Sequence, residues 1–184
     1  MRGCMPRLLP HAREQTMDSE QASPEEVKRA TDVCLRLLAM RARSGHELLT
    51  ALTRKGFSEP VCTLALEQVR RWGYLDDERF ARDRAAVLLQ RGKYGPQGVK
   101  QRLQAHGLSP EAASTAVDKA SDTVEFDAET AARQVLEKRG LLGRKLEPKE
   151  HARAGRLLVS RGFSEDVVQR VLGDATLEPS GLDD

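Results

Sequence analysis

The sequence has no isoleucine, and its 184 residues include only one tryptophan, two tyrosines and four phenylalanines. Sheets and barrels are built largely from β-branched and aromatic residues, so this shortage argues against a β-rich core. No stretch approaches the ~20 consecutive apolar residues that a membrane helix needs. The first nine residues carry arginine but lack the apolar core of an export signal, so the expected setting is the cytoplasm. Cys4, Cys34 and Cys62 are far apart, with no Cys-x-x-Cys pair and no histidine at ligand spacing, which excludes the usual zinc sites. Cys34 and Cys62 sit among apolar residues and read as buried free thiols.

Catalytic signatures are missing too. There is no nucleophile elbow, His-Glu-x-x-His pair, paired-carboxylate pocket or dinucleotide fingerprint, and His11, His46, His106 and His151 are scattered. The expectation is a protein that is not an enzyme, with no catalytic residue, no metal and no cofactor.

What the chain does hold is Ala, Leu, Arg, Glu, Lys and Gln, the helix formers. The net charge of +2 is dealt out unevenly: residues 41–106 carry 13 Lys or Arg against 7 acids, and residues 133–161 carry 9 against 3. Residues 107–132 and 162–184 are each net −5. Basic blocks of this kind attract polyanions or acidic protein surfaces through their summed field, and equally serve as solvated helix faces.

Between polar ends the chain repeats itself. Lys55-Gly56-Phe57-Ser58-Glu59 is echoed by His106-Gly107-Leu108-Ser109-Pro110 and by Arg161-Gly162-Phe163-Ser164-Glu165. In each echo a basic residue ends a helix, glycine takes the left-handed position, an apolar residue plugs the core and serine caps the next helix. Apolar residues stand eight and four before each glycine (Leu48 and Leu52, Val99 and Leu103, Ala154 and Leu158) and five and nine after it (Val61 and Ala65, Ala112 and Ala116, Val167 and Val171). Those are one-face helical spacings.

A further helix precedes each pair, marked by Val27, Ala30, Cys34 and Leu37, by Phe80, Ala81, Ala85 and Leu88, and by Ala128, Ala131, Val135 and Leu136. The predicted fold is therefore all-α. Three tandem three-helix repeats, at residues 25–73, 74–122 and 123–173, form an elongated, curved, solenoid-like chain, with loose tails at 1–24 and 174–184.

The segment from Trp72 to Ala81 joins the first two repeats. Gly73 ends a helix behind Trp72, Asp76 reads as the next N-cap, Asp77 and Glu78 complement the positive helix start, and Leu75 staples onto Phe80. Three adjacent acids on a helix start diverge, and no histidine converges on them, so capping outweighs a metal or acid/base site. The run Arg91-Gly92-Lys93-Tyr94-Gly95-Pro96-Gln97-Gly98 is glycine-rich but lacks a Gly-Lys-Ser/Thr ending and a preceding strand. It reads as a helix-linking loop with Tyr94 packed or used as a contact.

These strings carry a resemblance. Arg41-x-Arg43-Ser44-x-x-Glu47-Leu48, Lys55-Gly56-Phe57, Gly73-Tyr74-Leu75-Asp76-Asp77-x-x-Phe80-Ala81, and Gly95 with Val99, Leu103 and Gly107 are similar to the RecX regulatory family. The resemblance spans residues 27–172, its third unit resting mainly on Arg161-Gly162-Phe163. It implies three tandem three-helix repeats and a regulator that lodges in the groove of the RecA recombinase filament, inhibiting ATP hydrolysis and strand exchange. One departure is Arg84, where the family more often has an aromatic residue. Four positions after Phe80, it must either snorkel to water or an acid, or lie at a partner interface.

An acidic protein surface or bound nucleic acid is best gripped by arginine's planar fork. The candidate contacts are Arg41, Arg43, Arg70, Arg71, Arg79, Arg82, Lys93, Lys100 and Arg102, with Arg84, Tyr94, Arg144 and Lys145 as further interface candidates. Arg79 and Arg82 fall off the Phe80 and Leu88 stripe on a helical wheel, which leaves them available. The competing reading is direct single- or double-stranded DNA binding by helix-turn-helix-like units. The chain is expected to be a monomer without a membrane partner.

Overall fold

The computed structural model describes residues 22–144 and 146–174, and among them nine helices and no strand. The first unit comprises α1 (Pro24–Met40), α2 (Gly45–Arg54) and α3 (Glu59–Arg71), and the second α4 (Asp77–Gln90), α5 (Pro96–Gln104) and α6 (Pro110–Thr123). The third comprises α7 (Ala128–Glu137), α8 (Pro148–Ser160) and α9 (Glu165–Asp174). The sequence ends expected to be loose lie outside the described residues, except that α1 begins at Pro24 and α9 reaches Asp174.

Local chemistry sets the helix bounds. Proline occupies the first turn of α1, α3, α5, α6 and α8, where its missing N–H is not needed. Ser44, Asp76, Ser109 and Asp127 each accept a hydrogen bond from the first turn of the helix they precede. Between the second and third helix of every unit the chain turns at a glycine with positive φ: Gly56 at 86°, Gly107 at 82° and Gly162 at 78°. The residue after each glycine donates its N–H back to Leu52, Leu103 or Leu158 and closes the same turn three times.

Each unit has its own core. Leu48, Leu52, Val61, Cys62, Ala65 and Val69 fill the first, Ala85, Leu89, Val99, Leu103 and Val117 the second, and Leu136, Ala154, Leu158, Phe163 and Val171 the third. The glycine-flanking positions are buried except Ala112, which is half-buried while Ala113 takes the core site one residue on. Half-buried Phe126 packs against both the second and the third core. Cys34 and Cys62 are free and buried, and burial, with the neighbouring Cys62 second, pushes the Cys34 thiol up to about 11.

Two expectations at the first junction change. Leu75 turns back into the first core, only 2% exposed, while Phe80 sets its ring edge-on to His106 with centroids 5.8 Å apart. Trp72, expected to be structural, is 50% exposed. The chain reverses at Gly73, and Leu75, donating its N–H to the Val69 carbonyl, takes the next core site and leaves the indole outside.

Successive units meet at two joints. At the first, Ser44 Oγ donates to the His106 carbonyl at 2.6 Å, the Gly45 N–H donates to Asp77 Oδ1 at 2.7 Å, and Arg70 holds the other oxygen of Asp77 at 3.2 Å. At the second, the Gly95 and Gln97 amides donate to the Arg161 and Gly162 carbonyls at 3.0 and 3.2 Å, and Arg161 donates to the Lys93 carbonyl at 3.0 Å. Main chain approaches main chain so closely that a Cβ on Gly98 would stand 2.1 Å from the Arg161 oxygen.

Candidate functional site

The first joint opens an exterior groove between α1 and α4. Leu35, Leu38, Ala39, Ala42 and Phe80 line its apolar floor, and Arg43, Tyr74, Asp76, Arg79 and Asp83 edge it, enclosing about 580 Å³. The groove continues through Phe80, Ala42 and Asp83 into a second hollow bounded by Arg41, Arg84, Val87 and His106. Four arginines thus face two aspartates over an apolar base. Tyr74 is 62% exposed, and Met40, at the end of α1, is 79% exposed. Tyrosine and arginine over a partly apolar base are among the residue types that dominate protein–protein binding energy.

The amphipathic pattern of α1 explains the floor. One stripe of α1 serves the first core through Ala30, Val33 and Cys34, and half-buried Leu35 and Leu38 pack against that core while also lining the groove. Cation spacing does not reveal that surface, which forms only where α4 lies beside α1.

Arg41 closes the rim by gripping Glu47 with two hydrogen bonds, 2.9 and 3.1 Å. That grip, with Ser44 and His106 assisting, holds the Glu47 carboxyl below the ordinary carboxylate range and raises Arg41 above its usual value. The His106 Nδ1 lies 3.4 Å from the same carboxylate.

The candidate cations divide by what they touch. Arg70 is built into the first joint through Asp77. Lys100 reaches Ser114 at 2.9 Å and Asp118 at 3.5 Å, and the Arg102 guanidinium stacks 3.7 Å over the half-buried Tyr94 ring at the second joint. Arg43 lines the groove and donates to the Leu37 carbonyl at 3.3 Å. Arg79 also edges the groove, with its side chain 72% exposed and its Nε 3.7 Å from the equally exposed Asp83.

Arg71, Arg82, Arg84 and Lys93 are exposed and form no ion pair among the described residues. Arg84 escapes the cost of a buried charge by lying in the groove beside Val87. Arg71 borders a separate hollow with Trp72, Val27 and Leu64, and Arg82 another with Glu78 and Lys119. Arg144 clamps Glu150 through two bonds of 2.8 and 2.6 Å, which helps hold that carboxyl at about 2. Lys145 lies outside the described residues.

Asp76 caps α4 by accepting from the Arg79 N–H at 2.9 Å, and Asp77 serves Gly45 and Arg70, so both acids have structural work. Among the described residues no three His, Cys, Asp or Glu side chains gather in a way that could hold a metal ion. No helix among them is long and apolar enough to cross a membrane.

Three helical trios in tandem, each turned at a glycine and joined in series, define a helical-repeat protein with an outer groove along its first joint. Comparison with known proteins specifies it further. The chain matches the first three-helix domain of RecX over residues 30–68, the second over 76–117 and the third over 127–172. It is 32% identical over 144 residues to the "Regulatory protein RecX" of Legionella pneumophila, covering 78% of this chain and 92% of that one. It is also 32% identical over 151 residues to the protein of the same name from Halorhodospira halophila, covering 82% and 89%. The crystal structure of RecX from Lactobacillus salivarius shares its fold with a TM-score of 0.67 at 15% identity, over 82% of this chain and 97% of the other. The chain belongs to the RecX regulatory protein family.

Proposed function

We propose that this chain binds the RecA recombinase filament and lowers its ATPase and strand-exchange activity, gripping it through the groove across the first joint. The observation that carries the contact is the apolar floor of Leu35, Leu38, Ala42 and Phe80 ringed by Arg41, Arg43, Arg79 and Arg84, with Tyr74 exposed beside it. An apolar patch supplies affinity and the arginine rim supplies register and steering. A protein seated across neighbouring filament subunits favours the filament state it fits and opposes the subunit movements that turnover requires, to the extent of its differential affinity for the two states. Such a partner places the chain in the cytoplasm and gives it a binding role rather than a catalytic one.

The test is a titration of pre-formed recombinase filaments, read by ATP hydrolysis. Wild-type protein is expected to suppress turnover at near-stoichiometric amounts. Combined Tyr74→Ala and Arg84→Glu substitution, with the helical signal checked by circular dichroism, raises the amount needed by about 30-fold or more, as loss of interface anchors does. Full potency in the folded double variant contradicts the placement of the contact. Unchanged hydrolysis by wild type, together with tight salt-dependent duplex binding, supports direct DNA binding instead.

A further inference from the structure

Both joints obey one rule: the start of a unit's middle helix seats on the glycine corner that ends the middle helix of the next unit. Ser44 seats on His106 and Gly107, and Gly95 seats on Arg161 and Gly162. The corner glycines record the contact. A Cβ on Gly107 would fall 2.2 Å from His46 Cβ, and one on Gly162 would fall 1.9 Å from the Gly98 nitrogen. Gly56 has the same left-handed turn, and none of the described residues comes within 4 Å of its Cβ position. The first unit therefore presents an unoccupied corner, Lys55-Gly56-Phe57, while the start of α8 presents the matching helix start at the other end of the described chain.

We propose that these two leftover halves recognise each other between copies, so that the α8 start of one chain docks on the Lys55-Gly56-Phe57 corner of a second.

The halves share with the first joint the capping box and the arginine-held glutamate, while Glu147 takes the place of the Ser44 hydroxyl. Ser44 and Glu47 form a capping box on α2, and Glu147 and Glu150 form one on α8. Arg41 grips Glu47 with two bonds, and Arg144 grips Glu150 with two bonds at the same separation of six residues. In the first joint Glu47 also receives His106 at 3.4 Å. Lys55 stands at the place of His106 in the repeat, so the incoming corner offers Glu150 an ammonium. Arg54 and Lys55 are exposed, and in the docked pair they would meet Glu147, which holds the place of Ser44 in the repeat and is exposed as well. Pro148 occupies the place of Pro96, so the α8 start lacks the same amide as a helix start that already seats on a corner.

The contact is heterologous, and successive copies leave the same two faces free, so it extends chains end to end rather than closing a pair. One corner is a small surface, and without a covalent link the association is weak: dilute protein stays monomeric. Copies aligned on an elongated partner reach the effective concentration that makes such a contact count.

Sedimentation velocity on the isolated chain at low salt, from about 10 μM to about 1 mM, tests it in the range where weak contacts populate. The weight-average mass is expected to climb with concentration for wild type and to stay at one chain for Lys55→Glu, with both proteins equally helical. A second measurement uses chains carrying Cys4→Ser. An equimolar mixture of Lys55→Cys and Glu150→Cys chains is expected to form a mixed disulfide at least about tenfold faster than Lys55→Cys with Thr123→Cys, an exposed position on α6, as the ratio for a ~1.4 kcal/mol preference. A single-chain mass at every concentration overturns the proposal. So does association untouched by Lys55→Glu, or crosslinking with no preference for the Lys55–Glu150 pair. No recombinase enters the test, so its failure is separate from any failure of the filament reading.

Discussion

Between the first and second units the contact is made by side chains: Ser44 and Asp77 bridge to main-chain atoms, and Glu47 faces His106. Between the second and third units the peptide groups themselves touch, with Gly95, Gly98 and Gly162 clearing the space. The same corner thus joins to the same kind of helix start in two ways. A side-chain joint depends on ionisable groups and leaves room for a groove along its flank, as the Phe80 region shows. A main-chain joint depends on the absence of Cβ atoms, and its Tyr94 ring is already covered by Arg102.

The largest effect is expected from alanine at the corners. Gly162→Ala and Gly56→Ala both force a side chain into the left-handed region, at a cost of roughly 1–2 kcal/mol. Only Gly162→Ala also drives a Cβ into main chain, at 1.9 Å from Gly98 N, adding about 1–3 kcal/mol or detaching the third unit. Thermal unfolding of the two variants should therefore differ by that second amount, and equal losses would show that the close approach is not maintained in solution.

At the first joint, Asp77→Ala removes the acceptor of the Gly45 N–H and the partner of Arg70, a loss of about 1.5–3 kcal/mol, the range for hydrogen bonds to charged groups. Asp77→Asn keeps an acceptor, so urea unfolding should place it between the two. Ser44→Ala deletes the hydroxyl that serves both the α2 cap and the His106 carbonyl, for about 1 kcal/mol.

Acid sharpens the contrast at the smallest amplitude. The folded Glu47 carboxyl is held below its unfolded value by Arg41 first, so its contribution is complete above about pH 4.5 and is lost as pH falls through the lowered value. The second joint's main-chain bonds contain no carboxylate. Once corrected for the intrinsic pH dependence of exchange, protection of the Ser44 amide, which donates to the Glu47 carboxylate at 3.3 Å, should fall as pH drops below about 4.5 while that of the Gly95 amide holds. Parallel behaviour of the two amides would remove the distinction.

Much of this fold is readable from residues alone, because each corner repeats a glycine, an apolar plug and a serine at fixed offsets from the core leucines. Gly56, Gly107 and Gly162 turn as expected, and Lys55 and Arg161 cap their helices, whereas His106 lies one residue past the Ala105 C-cap, in the turn. The joints are harder to read. Gly98 lies inside α5, where glycine weakens a helix by about 1 kcal/mol relative to alanine, and that local conflict marks a close approach. A single sequence does not name what approaches. Tyr94 reads as packed or as a contact until Arg102 is placed over it. The groove is half legible: Arg43 and Arg84 are named by charge, whereas Leu35, Leu38 and Tyr74 become a surface only when α1 and α4 are set side by side.

The most direct measurement is a hydrogen-exchange footprint of the chain on saturated recombinase filaments. Protection is expected to concentrate in residues 35–43 and 74–87, the two walls of the first-joint groove, with little change on α6. A footprint confined to α6 or to the third unit would contradict the account.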